Sequence, residues 1–156
     1  GFYSLLDGLN DERLVIAAEC IGHAKLAIDR AAEYADEREV FDRQIGSNQA
    51  IQHPLAEAYM RTLSVKQTVY RTAEMMDSLD RQQVGTLANS SNYLASEVAF
   101  DASDAAVQTF GGFGIAREYD VERLFRDARL AKIAPISQQL ALNYVGEKAL
   151  GLPRSF

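Results

Sequence analysis

The sequence predicts an all-α fold, an antiparallel four-helix-type bundle whose last helix is broken. Three observations predict it. Apolar residues recur at helical spacing along most of the 156-residue chain. No segment alternates with period 2 between turn signals. Breakers are few, with three prolines and ten glycines gathered mostly near segment ends. The length favours one domain, and a 47% hydrophobic composition is enough to build its core.

The first helix is expected to begin at Asp11, an N-cap type of residue, with Glu12 in the first turn where an acid suits the helix dipole. Leu14, Ala17, Ile21, Ala24, Ile28, Ala31 and Ala35 then mark one face. Residues 37–48 lose the period and carry Gly46 and Ser47, so they read as a connection. A second helix is expected over 49–80, with the stripe Ile51, Leu55, Ala58, Thr62, Val65, Val69, Thr72 and Met76 and with Pro54 near its start. A third spans 82–110 with Leu87, Leu94, Val98, Ala102 and Ala106 inward, ending at Gly111-Gly112-Phe113-Gly114. A shorter helix over 119–132 uses Leu124, Phe125, Ala128 and Ala131. Pro135 stops it, and Ser137 caps a last helix reaching Ala149.

Composition excludes several functions. Acidic residues outnumber basic ones 22 to 16, a net charge of −6, which argues against a nucleic-acid or anionic-membrane surface. No apolar run approaches the roughly 20 residues of a membrane span, and the longest candidate, 14–22, is interrupted by Glu19. The opening GFYSLLDG has no signal-peptide character, and the absence of an initiating Met points to a processed product or a fragment. The single cysteine, Cys20, rules out an internal disulfide and reads as a buried inert thiol. No metal site is expected. A bundle di-metal centre needs repeated Glu-x-x-His pairs, whereas Glu19 and His23 are one residue too far apart and His53 with Glu57 is a plain i,i+4 pair.

Three stretches carry a family pattern. The first is Asp11-Glu12-Arg13-Leu14-Val15, then Tyr34-Ala35-x-x-Arg38-x-x-Phe41. The second is Ile45 leading to Gln49, with Ile51-Gln52 and Leu55-Ala56 after it. The third is Val107-Gln108-x-Phe110-Gly111-Gly112-x-Gly114, followed by Val121-Glu122-Arg123 and Arg126-Asp127-Ala128-Arg129. In this order and spacing the chain resembles the C-terminal helical domain of the acyl-CoA dehydrogenase family, over nearly its whole length.

The resemblance implies a fragment (1–156) of a three-domain flavoenzyme, inactive alone. FAD lies between the middle and C-terminal domains, and a neighbouring subunit reaches its pyrophosphate and adenosine. A glutamate takes the α-proton of an acyl-CoA thioester while the β-hydrogen leaves as hydride to flavin N5, and an electron-transferring flavoprotein reoxidises the flavin. Such chemistry asks for a close, desolvated base and for donors facing the thioester carbonyl.

Most members place the glutamate in a turn after the Arg-Asp-Ala-Arg helix. The matching stretch here is Ala134-Pro135-Ile136-Ser137, and proline cannot abstract a proton. A minority, similar to isovaleryl-CoA and long-chain dehydrogenases, carry it before an arginine at the start of the first C-terminal helix, which Glu12-Arg13 fits. Helix N–H groups there would lower the Glu12 pKa, and burial against a bound acyl chain would raise it.

By the same resemblance Arg13 supports substrate or the catalytic loop, and Asn10 stands where an acidic residue often meets CoA. Arg38 matches the pyrophosphate arginine, with a salt bridge to Glu37 or Asp42 as the competing reading. Phe41 matches an aromatic near adenosine, and Gln49, joined by Asn48, a glutamine in the same region. Gln108, Gly111 and Gly112 match the backbone that approaches the adenine-side phosphate and ribose, where glycine permits close approach. Ser137 and Gln139 fall near flavin or adenine. Asp42 replaces the usual glycine after Phe41 and Asn92 a frequent lysine, while Arg126, Asp127 and Arg129 are expected to form an ion network anchoring the bundle.

A homo-oligomer, dimer or tetramer, is implied, in a bacterial cytoplasm or a mitochondrial matrix. Two other readings stay open: a catalytically silent bundle subunit paired with a complete partner, and an acyl-CoA oxidase-like flavoprotein.

Overall fold

The computed structural model describes residues 2–155, with side chains from residue 8 onward. Among the described residues five α-helices appear in order: α1 (Phe2–Glu37), α2 (Gln49–Met75), α3 (Arg81–Phe110), α4 (Val121–Ala131) and α5 (Gln138–Lys148). Between α1 and α2 lies a minimal hairpin, β1 (Glu39–Val40) with β2 (Arg43–Gln44), antiparallel with Val40 opposite Arg43.

Cross-helix contacts fix the directions. Asn92 of α3 donates to Arg13 O of α1, and Tyr34 stacks on Phe110 at the other end, so α1 and α3 run parallel. Thr72 meets Ser91 and Arg61 pairs with Asp101, so α2 runs against them. Phe125 packs on Phe100 and Gln138 reaches Ser96, so α4 and α5 also descend along α3. The result is an up-down-up-down bundle with its fourth helix split at residues 132–137, as the helical periodicity predicts.

The core stacks in two layers along α3. Leu14, Ile21, Val65, Val69 and Val98 fill one, while Ile28, Leu55, Phe110, Val121 and Leu124 fill the other. Small residues on α3 (Gly85, Ala88, Ser91, Ala95, Ala99, Ala102, Ser103, Ala106) let neighbours approach on several sides. A single strip of α3 faces outward, with Leu94, Asp104 and Gln108 exposed and Glu97 and Asp101 half-buried. Leu94, expected inward, is therefore 40% exposed, and Ala95 takes the core position beside it.

Several boundaries differ from expectation. α1 begins at Phe2, so Asp11 is not its N-cap and Glu12 lies in the third turn. The polar run Asn10-Asp11-Glu12 imitates a helix start because Asn10 and Arg13 are polar residues that are nonetheless buried, bonded to each other within α1. The helix-terminus effect expected on Glu12 does not operate there, since it fades beyond the first turn. α2 ends at Met75, followed by a 3₁₀ turn at Met76–Ser78. Asp80 instead caps α3, accepting from Gln83 N at 2.9 Å while Gln83 Oε1 accepts from Asp80 N at 3.1 Å, a reciprocal capping box. Ser137 caps α5 as expected, accepting from Leu140 N at 3.4 Å.

The ion pairs of α4 differ too. Arg126 bonds Glu122 (2.8 Å), and Arg123 bonds Asp120 (2.7 Å) and Asp127 (3.1 Å). All of these lie within α4 and its N-cap, so they stiffen that helix and do not anchor it to the bundle. Ion pairs that cross between elements include Arg61–Asp101 (2.6 Å) and Lys132–Glu97 (2.7 Å).

Candidate functional site

The matching residues fall at two ends of the bundle. At the end where α1 and α3 finish, an open groove of about 500 Å³ is lined by Tyr34, Arg38, Phe110, Gly111, Gly112 and Phe113, among others. Three of the expected cofactor residues, Arg38, Gly111 and Gly112, thus come together from segments some seventy positions apart in sequence. Tyr34 stacks on Phe110 with centroids 4.0 Å apart, and the Arg38 guanidinium sits 6.0 Å above the Phe113 ring. Arg38 makes no ion pair with Glu37 or Asp42, so its charge stands over an aromatic wall at the groove.

The glycines there have different physical reasons. Gly111 terminates α3 with φ 60 and ψ −133, a conformation that is essentially glycine's alone. Gly114 is held by packing, since a Cβ would lie 2.5 Å from Val107 O. Gly112 has nothing within 4 Å of where a Cβ would be, so it leaves the groove side open.

Other expected cofactor residues flank this groove without lining it. Phe41 occupies the hairpin tip, 92% exposed, with φ 54, and Asp42 follows with φ 60. Asn48 uses its side chain locally, donating to Ile45 O (3.0 Å) and accepting from Arg43, so its amide fixes the entry to α2. Gln49 is exposed at the first position of α2. Gln108 lies round the helix on the outward strip of α3, in a second groove with Glu57, Arg61 and Asp101. Thr109 lines both grooves and links them.

The candidate catalytic residues lie far along α1. Glu12 is exposed. Arg13, beside it, is 8% exposed and donates from Nη1 to Asn10 Oδ1 at 2.8 Å. Burial lowers the Arg13 pKa from its ordinary value, opposed by the nearby Tyr144 and Glu12. Twenty-two helical residues separate Glu12 from Tyr34 in the groove, about 33 Å at 1.5 Å per residue. Ser137 and Gln139 stand at the start of α5, Ser137 half-buried as the cap and Gln139 exposed.

Elsewhere, Cys20 is buried and its thiol is pushed up to about 11 by burial and by Glu19. His23 Nε2 lies 2.7 Å from Leu124 O, tying α1 to α4. Among the described residues no group of three His, Cys, Asp or Glu could hold a metal, and no helix is long and apolar enough to cross a membrane.

Residues 1–150 match the family model for the acyl-CoA dehydrogenase C-terminal domain. The chain belongs to the acyl-CoA dehydrogenase family. It is 40% identical over 152 residues to the acyl-CoA dehydrogenase FadE12 of Mycobacterium tuberculosis, covering 97% of this chain and 39% of that relative. The Acetobacterium woodii caffeyl-CoA reductase-Etf complex subunit CarC is 35% identical over 133 residues, covering 85% of this chain and 35% of CarC. Butyryl-CoA dehydrogenase from Megasphaera elsdenii superposes with a TM-score of 0.86 at 30% identity, over 91% of this chain and 37% of that structure. The chain thus spans about two fifths of the length of these family members.

Sequence reasoning named the glycines and Arg38 but not the aromatic walls. Tyr34 and Phe110 belong to the family pattern, and their spacing beside Arg38 and Gly111 was the available signal. Glu97, Lys132 and Gln138 also escaped it, because nothing local marks a carboxylate whose partners are 35 and 41 positions away.

Proposed function

We propose that this chain is the C-terminal part of an FAD-dependent acyl-CoA dehydrogenase that removes an α-proton and a β-hydride from an acyl-CoA thioester. The observation that carries the reading is the convergence of Arg38, Gly111 and Gly112 in one aromatic-walled groove. A guanidinium without a carboxylate partner suits phosphate oxygens, the open glycine backbone admits close approach, and Tyr34, Phe110 and Phe113 suit a flat ring. When bound, FAD supplies the hydride acceptor.

Glu12 takes the α-proton. Its exposure in this chain leaves the carboxylate accessible, and the desolvated surroundings a base requires come from bound substrate and from the remainder of the protein. Arg13 and Asn10 act behind it, holding the turn of α1 that carries Glu12 against α3 through the Asn92 bond to Arg13 O. Pro135, in the place where most members carry the base, leaves that role to Glu12.

The distance of about 33 Å along α1 supports a shared arrangement, because it exceeds the reach of one FAD. Glu12 then serves the flavin of its own subunit, while the Arg38 groove, with Phe41, Gln49 and Gln108 at its margins, serves the neighbour's. The working form is a homo-oligomer. An electron-transferring flavoprotein as acceptor is supported by the likeness to a relative named as an Etf-complex subunit. A compartment holding such an acceptor, bacterial cytoplasm or mitochondrial matrix, follows from this reading.

The test is exchange of the substrate α-proton for deuterium by full-length protein carrying Glu12→Gln. Loss of about 100-fold or more is expected for removal of a general base. Wild-type exchange in a variant that retains FAD would overturn the assignment.

A further inference from the structure

One carboxylate on α3 grips both ends of the break in the fourth helix. Glu97 Oε1 accepts from Lys132 Nζ at 2.7 Å and from Gln138 Nε2. Lys132 is the C-cap of α4, and Gln138 is the first residue of α5. The two donors therefore bracket the connection 133–137. Gln138 Nε2 also lies 3.1 Å from Ser96 Oγ, and Lys132 Nζ sits 4.9 Å over the Phe100 ring. Residues 96, 97 and 100 occupy little more than one turn of α3.

The connection needs such a hold. Its own backbone bonds lie at its two ends: Ile133 N and Ala134 N reach Leu130 O at 2.8 and 3.0 Å, and Ser137 O accepts from Leu140 N and Ala141 N at 3.0 and 3.2 Å. Pro135 has no N–H to offer. The Glu97 and Lys132 side chains are only 24% and 20% exposed, so their attraction is screened less than that of a surface pair. Burial by itself would raise the Glu97 pKa, but the bonds from Lys132 and Gln138 outweigh it and hold the carboxyl below its usual range. Arg61 of α2, paired with Asp101, adds to the positive field on this carboxylate.

We propose that Glu97 is a positioning residue: through Lys132 and Gln138 it fixes the 133–137 connection and, with it, the place of Ser137 at the flavin. The clamp stands on the contacts above, and only the role of Ser137 rests on the flavin binding of the proposed function and on the family resemblance that places Ser137 near flavin or adenine.

Amide hydrogen exchange tests the clamp. Glu97→Leu removes both bonds, and Lys132→Met and Gln138→Leu remove one each. Exchange at Ala134 and Leu140, whose amides bond Leu130 O and Ser137 O at the two ends of the connection, is expected to speed about tenfold or more in Glu97→Leu, with α1 and α2 unchanged. The Lys132→Met/Gln138→Leu double variant is expected to match it. If Glu97→Leu does not fold, the two flanking variants give the same reading. Unchanged exchange at Ala134 and Leu140, or a rise spread evenly over the bundle, would overturn the clamp.

A double-mutant cycle on flavin affinity in full-length protein tests the consequence. Glu97→Gln and Ser137→Ala are each expected to weaken flavin binding severalfold, and the double variant to be no weaker than Ser137→Ala alone. Additive losses would overturn positioning through Ser137. An unaltered flavin affinity in Ser137→Ala would overturn the cofactor contact, and the exchange result would still decide the clamp.

Discussion

Alanine at Gly111, Gly112 and Gly114 is expected to act in three different ways within four residues, destabilising at two of them for different reasons and not at the third. At Gly114 the new Cβ would lie 2.5 Å from Val107 O and 3.0 Å from Val107 Cα. Both obstacles are backbone of the last turn of α3, so no side chain can swing aside. Overpacking of this kind costs about 1–3 kcal/mol. The reduced freedom of the unfolded chain returns about 0.4–1 kcal/mol, leaving a net loss of roughly 1–2 kcal/mol. Gly111→Ala has open space around its Cβ but inherits φ 60, so backbone strain costs it about 1–3 kcal/mol. Gly112→Ala has neither clash nor positive φ, so it is expected to be neutral or to gain up to about 1 kcal/mol. Its methyl group nevertheless enters the groove beside Arg38, so flavin retention by full-length protein is expected to fall without a loss of stability. Urea unfolding followed by helical circular dichroism gives the three stabilities, and flavin absorbance gives retention. Equal destabilisation by Gly112→Ala and Gly114→Ala would refute the reasoning.

Asp42→Gly, which places the residue best suited to φ 60 at the second position of the hairpin turn, is expected to stabilise the chain by up to about 1 kcal/mol in urea unfolding. Cys20 is expected to resist a disulfide reagent at pH 8 in the folded chain and to react at once in denaturant, because its thiol titrates near 11. The Glu97 clamp has a defined pH window. Since its folded pKa is depressed, its stabilisation is present above the unfolded value of about 4.3 and is lost as pH falls through the lower folded value. Thermal unfolding between about pH 5 and pH 3 is therefore expected to show a shallower acid loss in Glu97→Gln than in wild type.

The bundle was legible because its helices are long and their buried stripes regular. The stripe Leu55, Ala58, Thr62, Val65, Val69 and Thr72 on α2 is buried throughout. Where the reading failed, tertiary packing overrode local signals. Asn10-Asp11-Glu12 looks like a helix start, yet Asn10 and Arg13 are buried and bonded to each other, and the helix runs straight through. Leu94 looks like core, yet α3 is so enclosed that alanine and serine fill its contacts and leucine falls on the free strip. At the groove, the glycine run marked the end of α3 at Gly111 because backbone conformation is local. That Asn48 would be used by the turn at Ile45, and that Gln108 would face away from Arg38, depended on helix phase and side-chain partners invisible in sequence.

The enclosure of α3 also governs how this chain can diverge. With neighbours pressed against most of its circumference, enlargement of Ala95, Ala99 or Ala102 would push against another helix. Drift is thereby channelled onto the outward positions 94, 104 and 108. Relatives built on the same scaffold have that narrow track on which to write differences in charge and shape without moving the bundle.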